Sequence, residues 1–342
     1  MQESLSKLAR GADLSAAEAE AAMAAIMGGE ATPAQIGAFL MGLRQKGESV
    51  EEILGCARAM RAVATPVRSQ HPLLVDTCGT GGDGAGTFNI STTAAFVVAG
   101  AGLPVAKHGN RAASSRTGSA DVLEALGVRI DLTPEDVGHC LDEVGIGFLF
   151  AVRHHGAMRH ASGPRRELGF RTVFNLLGPL CNPAGAQVQV VGVPEARWVR
   201  PVAEVLRRLG SQRALVVHGT DGLDELTLAG ASLMADTADA GEIQPREVRP
   251  EDAGVPAADP AALRGGTPAE NAGITLAVLS GEPGPRRDVV LLNAAAALVA
   301  AGLAADLAAG VGLARRAIDS GAALARLEAL RSLSQRLAVA AG

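Results

Sequence analysis

A glycine-dense loop joins two short apolar runs in the first third of the chain. The loop covers residues 76–92, lies between the apolar runs 73–75 and 94–98, and carries five glycines. Because glycine has no Cβ, main-chain N–H groups here can approach an anion, and a helix that follows would point its positive end at the same place. The pattern predicts a strand, a phosphate-binding loop and a helix. Taken alone, such a loop also fits a flexible surface turn.

Helical signals dominate the segment before this loop. Capping boxes begin at Ser15 and Ser49, and Thr32 is followed by proline at the first helical position. Apolar residues between residues 32 and 47 fall at helical spacing. The first 65 or so residues are therefore predicted to form a small helical unit.

After residue 70 the pattern changes to short apolar runs that alternate with helical stretches, which is typical of an α/β domain with a mainly parallel sheet. The predicted strands cover residues 73–76, 104–107, 147–151, 188–193 and 213–218. The predicted helices cover residues 93–100, 119–126, 134–144, 195–209, 268–280, 286–301 and 304–338, with a surface connection at 245–267. Ligands of such domains bind at the carboxyl ends of the strands.

Charge and cysteine usage exclude several classes of protein. A formal net charge of -5 gives no bulk electrostatic reason to bind nucleic acid or an anionic membrane, so an anionic ligand needs a local site. The four cysteines are widely separated, which favours reduced thiols, and residues 1–30 lack the features of a signal peptide. No apolar stretch suits a membrane span. We expect a cytoplasmic protein without nucleic-acid or membrane partners.

A second polar loop, residues 107–121, follows the predicted strand 104–107. It contains Lys107, His108 and Arg111 together with several serines. Cations beside neutral hydroxyl donors suit a phosphorylated, polyhydroxylated ligand. The alternative is a solvated polar loop, and with either interpretation Ser119 is predicted to cap the next helix.

Two further groups of charged residues are candidates for ligand binding. Asp224 and Glu225 follow the last predicted strand and offer the hard oxygen ligands that Mg²⁺ prefers, although such a pair is also common on solvated surfaces. Three arginines precede the apolar segment 173–180, at positions 165, 166 and 171. They could pair with acids or present a planar fork to a substrate carboxylate, and the residues alone leave both options open.

Over nearly its whole length the chain resembles the anthranilate phosphoribosyltransferase family. The matching motifs lie, in order, at residues 79–83, 87–92, 107–111, 114–115, 118–121, 171–172, 175–180, 182–183 and 223–225. The resemblance implies a fold of the nucleoside phosphorylase and phosphoribosyltransferase type, with a helical domain at 1–68 and an α/β domain at 69–342. A helical insertion near 155–183 would pack on the first domain, and the helical domain would form a homodimer.

The resemblance also implies the substrates and the residues that bind them. The phosphoribosyl group of 5-phosphoribosyl 1-diphosphate (PRPP) would pass to the amine of anthranilate, with release of diphosphate, in tryptophan biosynthesis. PRPP would be held by Gly79, Gly82, Asp83, Thr87, Asn89, Ile90, Ser91, Thr92, Lys107, Ser115 and Ser119. Mg²⁺ would be held by Ser91, Asp224 and Glu225. Anthranilate would be held by Asn110 and Arg165, with Gly79 nearby.

The chain departs from the family beside the implied anthranilate channel. The family often has proline where this chain has Val152 and Gly156, and some members have an aromatic residue at the position of Met158. These three positions line or flank the channel. They are therefore where the affinity for the aromatic substrate would differ.

The chemistry needs no strongly tuned general base, because an aniline nitrogen is essentially neutral at physiological pH and attacks without first losing a proton. His108 is the candidate for a proton relay, and we favour a positioning role for it. The rival interpretations are a pyrimidine nucleoside phosphorylase, a non-enzymatic nucleic-acid-binding relative and a structural helical partner. Asp83 and the Asp224–Glu225 pair suit a Mg-bound diphosphate better than free phosphate.

Overall fold

The computed structural model describes residues 1–112 and 116–340. Its helices are α1 (Gln2–Leu8), α2 (Ala16–Met27), α3 (Pro33–Lys46), α4 (Val50–Ala62), α5 (Ile90–Gly100), α6 (Ser119–Ala125), α7 (Pro134–Val144), α8 (Ala151–His154), α9 (Arg159–Leu168), α10 (Val173–Leu180), α11 (Val199–Arg208), α12 (Pro268–Leu279), α13 (Pro285–Ala300), α14 (Leu307–Asp319) and α15 (Ala322–Ala340). Its strands are β1 (Val75–Gly79), β2 (Val105–Gly109), β3 (Ile146–Phe150), β4 (Val188–Gly192), β5 (Arg213–Gly219), β6 (Ser232–Asp236) and β7 (Arg246–Val248).

Helices α1 to α4 form the predicted helical unit, and its capping signals are confirmed. Ser15, Thr32 and Ser49 each accept a hydrogen bond from the third residue of the helix that they begin. The Glu52 side chain, which completes the last of these caps, is buried and also accepts from the main-chain N–H of Leu14 at 2.9 Å. Each cap satisfies a main-chain donor at a helix start. Glu52 thereby ties α4 to the segment before α2.

The central sheet has the strand order β3-β2-β1-β4-β5-β6-β7. Strands β1 to β5 pair in parallel, whereas β6 and β7 are antiparallel at one edge. Because β1 lies between β2 and β4, the connections after β1 and β4 leave a crevice at the carboxyl ends of these strands, the usual ligand position in a sheet of this type. The glycine-dense loop follows β1 and enters this crevice.

The predicted parallel strands are confirmed, and two edge strands were missed. The ends of the five predicted strands shift by up to three residues. Strand β6 was not predicted, and residues 245–267, predicted as a surface connection, contain β7 and two 3-10 turns. The predicted helix over residues 304–338 is two helices, α14 and α15, divided at Gly321, whose φ of +76° suits glycine. Short edge strands carry little sequence signal, because the neighbouring strand sets their pairing.

Two hydrophobic clusters cover the two faces of the sheet. One contains α5, α13, α14 and α15; the other contains α11 and the helical unit. Helix α9 packs on α2 and α3, and α10 packs on α3 and α4, although both lie within the α/β part of the sequence. The domain boundary at residues 68 and 69 stays a prediction. No helix among the described residues has the length and apolar character to cross a membrane.

Close packing of α2 against α4 depends on Gly55. A Cβ at this position would lie 2.2 Å from the carbonyl oxygen of Ala16 and 2.8 Å from the nitrogen of Glu20. We expect Gly55→Ala to lower the free energy of unfolding by about 1–3 kcal/mol, because the two backbones would have to separate. The measurement is the midpoint of urea unfolding.

Gly273→Ala is the matched control. Gly273 is an exposed residue inside α12, and a Cβ there would meet no atom within 4 Å. This variant should gain about 0.5–1 kcal/mol, because alanine loses less backbone entropy in a helix. Equal effects of the two substitutions would contradict the packing argument.

Candidate active site

Two adjoining cavities lie at the carboxyl ends of the parallel strands. The first, about 330 Å³, is lined by the glycine-dense loop, the start of α5, the loop after β2 and the Asp224–Glu225 pair. The second, about 410 Å³, is lined by residues of α8 to α10. His108 and Asn110 line both cavities, so the loop after β2 forms their common wall. A molecule in one cavity is therefore adjacent to a molecule in the other.

Two glycines of the loop are required by neighbouring side chains. A Cβ at Gly79 would lie 2.3 Å from Oδ2 of Asp224, so glycine lets this carboxylate pack against the strand end. A Cβ at Gly82 would lie 1.4 Å from Nη1 of Arg171, and the φ of Gly82 is +79°. The sequence analysis explained both glycines by the approach of an anion. The structure adds a second reason, namely the space taken by one carboxylate and one guanidinium.

Asp224 and Glu225 are held by main-chain donors. Oδ2 of Asp224 accepts from the N–H of Gly81 at 2.7 Å, and Oε1 of Glu225 accepts from the N–H of Ser91 at 3.1 Å. Burial raises the pKa of both carboxyl groups, and repulsion raises them further: from Asp83 for Asp224, and from Asp224 for Glu225. Both effects disfavour the ionised forms of the two acids, and a bound cation would favour those ionised forms.

These oxygens fit a hard divalent cation. Carboxylates and hydroxyls are the ligand types that Mg²⁺ prefers, usually with water and substrate oxygens completing the shell. Within residues 1–112 and 116–340, no group of three or more histidine, cysteine or acidic side chains is arranged as a complete metal centre. The arrangement therefore suits a metal that arrives with a substrate.

The start of α5 brings several predicted residues to the first cavity. Asn89 lies at the N-cap position; its side-chain nitrogen donates to the carbonyl oxygen of Thr117 at 3.2 Å, and its oxygen accepts from Asn271 at 2.9 Å. The side chain thus joins the loop to two other segments. The other predicted residues of this stretch that line the cavity are Thr87, Ile90, Ser91 and Thr92.

The loop after β2 differs in part from its sequence-based interpretation. Lys107 is buried, and its ammonium donates to the carbonyl oxygen of Thr77. Arg111 faces surface acids, with an Nη1–Oδ1 distance of 3.0 Å to Asp121. The prediction that Ser119 caps α6 is wrong, because Asp121 accepts the N–H of Gly118 at 2.9 Å and so occupies the capping role.

Ser119 instead bonds within the loop. Its hydroxyl donates to the carbonyl oxygen of Asn110 at 3.2 Å and accepts the N–H of the same residue at 3.2 Å. The side chain still lines the first cavity. The predicted ligands Ser114 and Ser115 lie outside the described residues.

The second cavity is more apolar and is lined by two arginines, of which Arg159 donates to the carbonyl oxygen of Gly156 at 3.3 Å. The guanidinium carbon of Arg165 lies 4.9 Å from the centre of the Phe174 ring, and Arg165 forms no ion pair with any described residue. Its wall includes Val152, Gly156 and Met158, the three positions of departure from the family. Gly79 lines the first cavity and is absent from the described wall of the second.

Two histidines between the cavities are neutral. Burial lowers the pKa of His108 to about 3 and that of His155 to about 4. Nδ1 of His108 lies 3.2 Å from the carbonyl oxygen of Gly178, which can only accept, so Nδ1 carries the proton. The Nε2 atoms of both rings are buried and lack a hydrogen-bond partner among the described residues. Both rings therefore offer an acceptor nitrogen.

Sequence reasoning assigned no role to Asn175 or His155, and it left Arg171 as a candidate for either an acid or a substrate carboxylate. Arg171 and Asn175 line the first cavity, and His155 lines the second. His155 follows β3 by five residues, so its place after a parallel strand was an available signal. Arg171 and Asn175 come from the insertion that packs on the helical unit, and strand pattern gave no signal for them.

Comparison with known proteins agrees with this architecture. Residues 2–64 match the model of the glycosyl transferase family, helical bundle domain, and residues 71–324 match that of the glycosyl transferase family, a/b domain. An anthranilate phosphoribosyltransferase from Symbiobacterium thermophilum is 59% identical over 98% of both chains.

Solved structures give the same result. The anthranilate phosphoribosyltransferase of Thermus thermophilus superposes with a TM-score of 0.92 at 47% identity, covering 97% of this chain and 99% of its own. The Saccharomyces cerevisiae enzyme in complex with PRPP and Mg superposes with a TM-score of 0.90 at 28% identity, covering 98% of both chains. The chain therefore belongs to the anthranilate phosphoribosyltransferase family.

Proposed function

We propose that the two cavities bind the two substrates of phosphoribosyl transfer, PRPP in the first and anthranilate in the second. The protein transfers the phosphoribosyl group of PRPP to the amine of anthranilate and releases diphosphate. The observation that carries this assignment is the shared wall at His108 and Asn110, which places an anion-binding loop beside an apolar cavity with a free arginine. Two reactants held in adjoining sites react as one complex.

The first cavity supplies the contacts for PRPP. The N–H groups of Gly81 and Ser91 hold the two acids, and other main-chain N–H groups of the glycine-dense loop would bind the phosphates, as in other loops before helix starts that bind anions. The assigned residues that line the cavity are Gly79, Gly82, Asp83, Thr87, Asn89, Ile90, Ser91, Thr92, Lys107 and Ser119. Ser115 belongs to the same assignment by family resemblance.

Mg²⁺ would be held by Ser91, Asp224 and Glu225 together with oxygens of the diphosphate. The bound metal would supply positive charge to the departing diphosphate. The raised pKa values of the two acids support this assignment. Burial and mutual repulsion both disfavour their ionised forms, and a bound cation would offset both effects. Asp83 adds a third negative charge beside Asp224.

Anthranilate would be held by Arg165 and Asn110 in the second cavity. The guanidinium of Arg165 has its donors available for a planar carboxylate, and Phe174 beneath it fixes its plane. The neutral amine would then face the shared wall that His108 and Asn110 form. A positioning role for His108 follows, because a ring with so low a pKa is a weak proton carrier at neutral pH.

We also propose a cytoplasmic homodimer formed through the helical domain. Met41 on α3 is 46% exposed, which is unusual for a large apolar side chain, and it is one of the exposed apolar residues of this unit. The four cysteines are buried free thiols, in keeping with a reducing compartment.

Arg165→Ala should raise the KM for anthranilate about tenfold or more and leave the KM for PRPP nearly unchanged, because only the carboxylate loses its charged partner. The measurement is the loss of anthranilate fluorescence with PRPP and Mg²⁺ present. Arg166→Ala is the control, since Arg166 is an exposed neighbour on α9. No consumption by the wild-type protein would refute the proposed function, and a larger effect on the KM for PRPP would refute the role of Arg165.

Mg²⁺ should stabilise the protein more as the pH rises from about 5.5 to about 8. Because the folded-state pKa values of Asp224 and Glu225 are raised, the metal-free protein loses stability as these groups ionise, and Mg²⁺ binds the ionised form. The measurement is the melting temperature with and without saturating MgCl₂ at each pH.

Glu225→Gln should weaken the pH dependence of the stabilisation by Mg²⁺, because one anionic ligand is lost. For the same reason, it should raise the Mg²⁺ concentration for half-maximal activity about tenfold or more. Glu282→Gln is the matched control, at an exposed position outside the first cavity. An unchanged Mg²⁺ response in Glu225→Gln would refute the metal assignment.

Met41→Glu should weaken the dimer about tenfold or more, because it places a charge in an apolar contact. Leu276→Glu is the control, since Leu276 is 40% exposed on α12 of the α/β part. The measurement is sedimentation velocity over a range of concentrations. A wild-type monomer, or equal dissociation of both variants, would contradict the proposed interface.

A further inference from the structure

Arg171 reaches the first cavity from the wall opposite the sheet. It lies between α9 and α10, in the segment that packs on the helical unit, and it lines the cavity that contains the glycine-dense loop. Its Nη1 fills the space that a Cβ of Gly82 would occupy, at 1.4 Å from the ideal Cβ position. The guanidinium therefore lies directly on the backbone of the loop.

The guanidinium has no fixed partner in this position. Among the described residues it makes no hydrogen bond or ion pair, although it is only half-exposed. Burial lowers its pKa, and the nearby charge of Asp224 acts against this effect. A half-buried cation without a direct partner has donors available for an incoming anion.

The other cations that line this cavity are already engaged. Lys107 donates to the carbonyl oxygen of Thr77, and Arg111 pairs with Asp121 and Glu124. Of the lysines and arginines that line the cavity within the described chain, Arg171 is the one whose charged group is unpaired. The Nη1 atom of Arg171 also lies directly against Gly82 of the glycine-dense loop.

We propose that Arg171 binds the diphosphate group of PRPP and stabilises it as it leaves. This inference rests on the proposed function of the first cavity. In the transfer, the amine nitrogen forms a bond to C1 of the ribose and gives up a proton to solvent water, while the bond from C1 to the diphosphate oxygen breaks and its electron pair stays on that oxygen. The planar fork of Arg171 donates to the oxygens on which this charge accumulates.

Gly82 supports this assignment from the other side. Any side chain there would collide with the Nη1 atom and push the guanidinium away from the loop. Gly82 has a positive φ, which suits glycine, and it lines the same cavity as Arg171. The loop and the arginine together form a cradle with donors on two sides.

The test is binding of inorganic diphosphate with Mg²⁺, measured by calorimetry. Arg171→Ala should bind about 10- to 100-fold more weakly than the wild-type protein, and its KM for PRPP should rise with little change in the KM for anthranilate. Arg171→Lys should show an intermediate loss, since lysine keeps the charge without the fork. Arg166→Ala is the control and should bind like the wild-type protein.

Guanidinium ion in the assay separates binding from structure. Guanidinium should restore part of the activity of Arg171→Ala. It should not change the activity of Arg166→Ala, because that variant has lost no guanidinium from the cavity. The inference would be overturned if Arg171→Ala bound Mg-diphosphate as tightly as the wild-type protein. It would also be overturned if Arg171→Ala had a lowered melting temperature and guanidinium did not restore its activity. If the wild-type protein itself binds no Mg-diphosphate, the proposed function of the cavity fails along with the inference.

Discussion

The candidate site depends on the burial of Asp224 against the ends of two parallel strands. A Cβ at Gly192 would lie 1.6 Å from the carbonyl oxygen of Asp224, and a Cβ at Gly79 would lie 2.3 Å from its carboxylate. This packing takes the acid out of water beside Glu225 and Asp83, where like charges are costly. The N–H of Gly81 and the proposed Mg²⁺ offset that cost, so the loop conformation, the acids and the metal form one interdependent unit.

The sequence predicted the parts of this unit that are local in the chain. The strand, loop and helix from β1 to α5 follow from apolar runs and glycines, and the acid pair follows from its place after β5. The reason for Gly82 could not be predicted, because Arg171 is distant in sequence and meets it only through tertiary packing. The predicted cap of α6 was wrong. Both Ser119 and Asp121 could accept a main-chain N–H at the start of this helix, and in the folded loop Asp121 does so.

The shared wall explains how one chain holds two chemically different substrates. On one side, hydrogen-bond donors and buried acids suit a highly charged ligand; on the other, Arg165 over Phe174 suits a flat carboxylate-bearing ring. Between them, His108 donates from Nδ1 to Gly178 and leaves Nε2 as an acceptor. The neutral ring of His108 thus shapes the boundary between the cavities and does not need to gain a charge.

Helices α9 and α10 pack on the helical unit, although the chain enters them from β3 and leaves them for β4. The main chain therefore passes between the two halves three times: after α4, after β3 and after α10. Arg165 and Arg171 therefore lie on the same side as the helical unit, and a movement of that side relative to the sheet would carry both arginines toward or away from the glycine-dense loop.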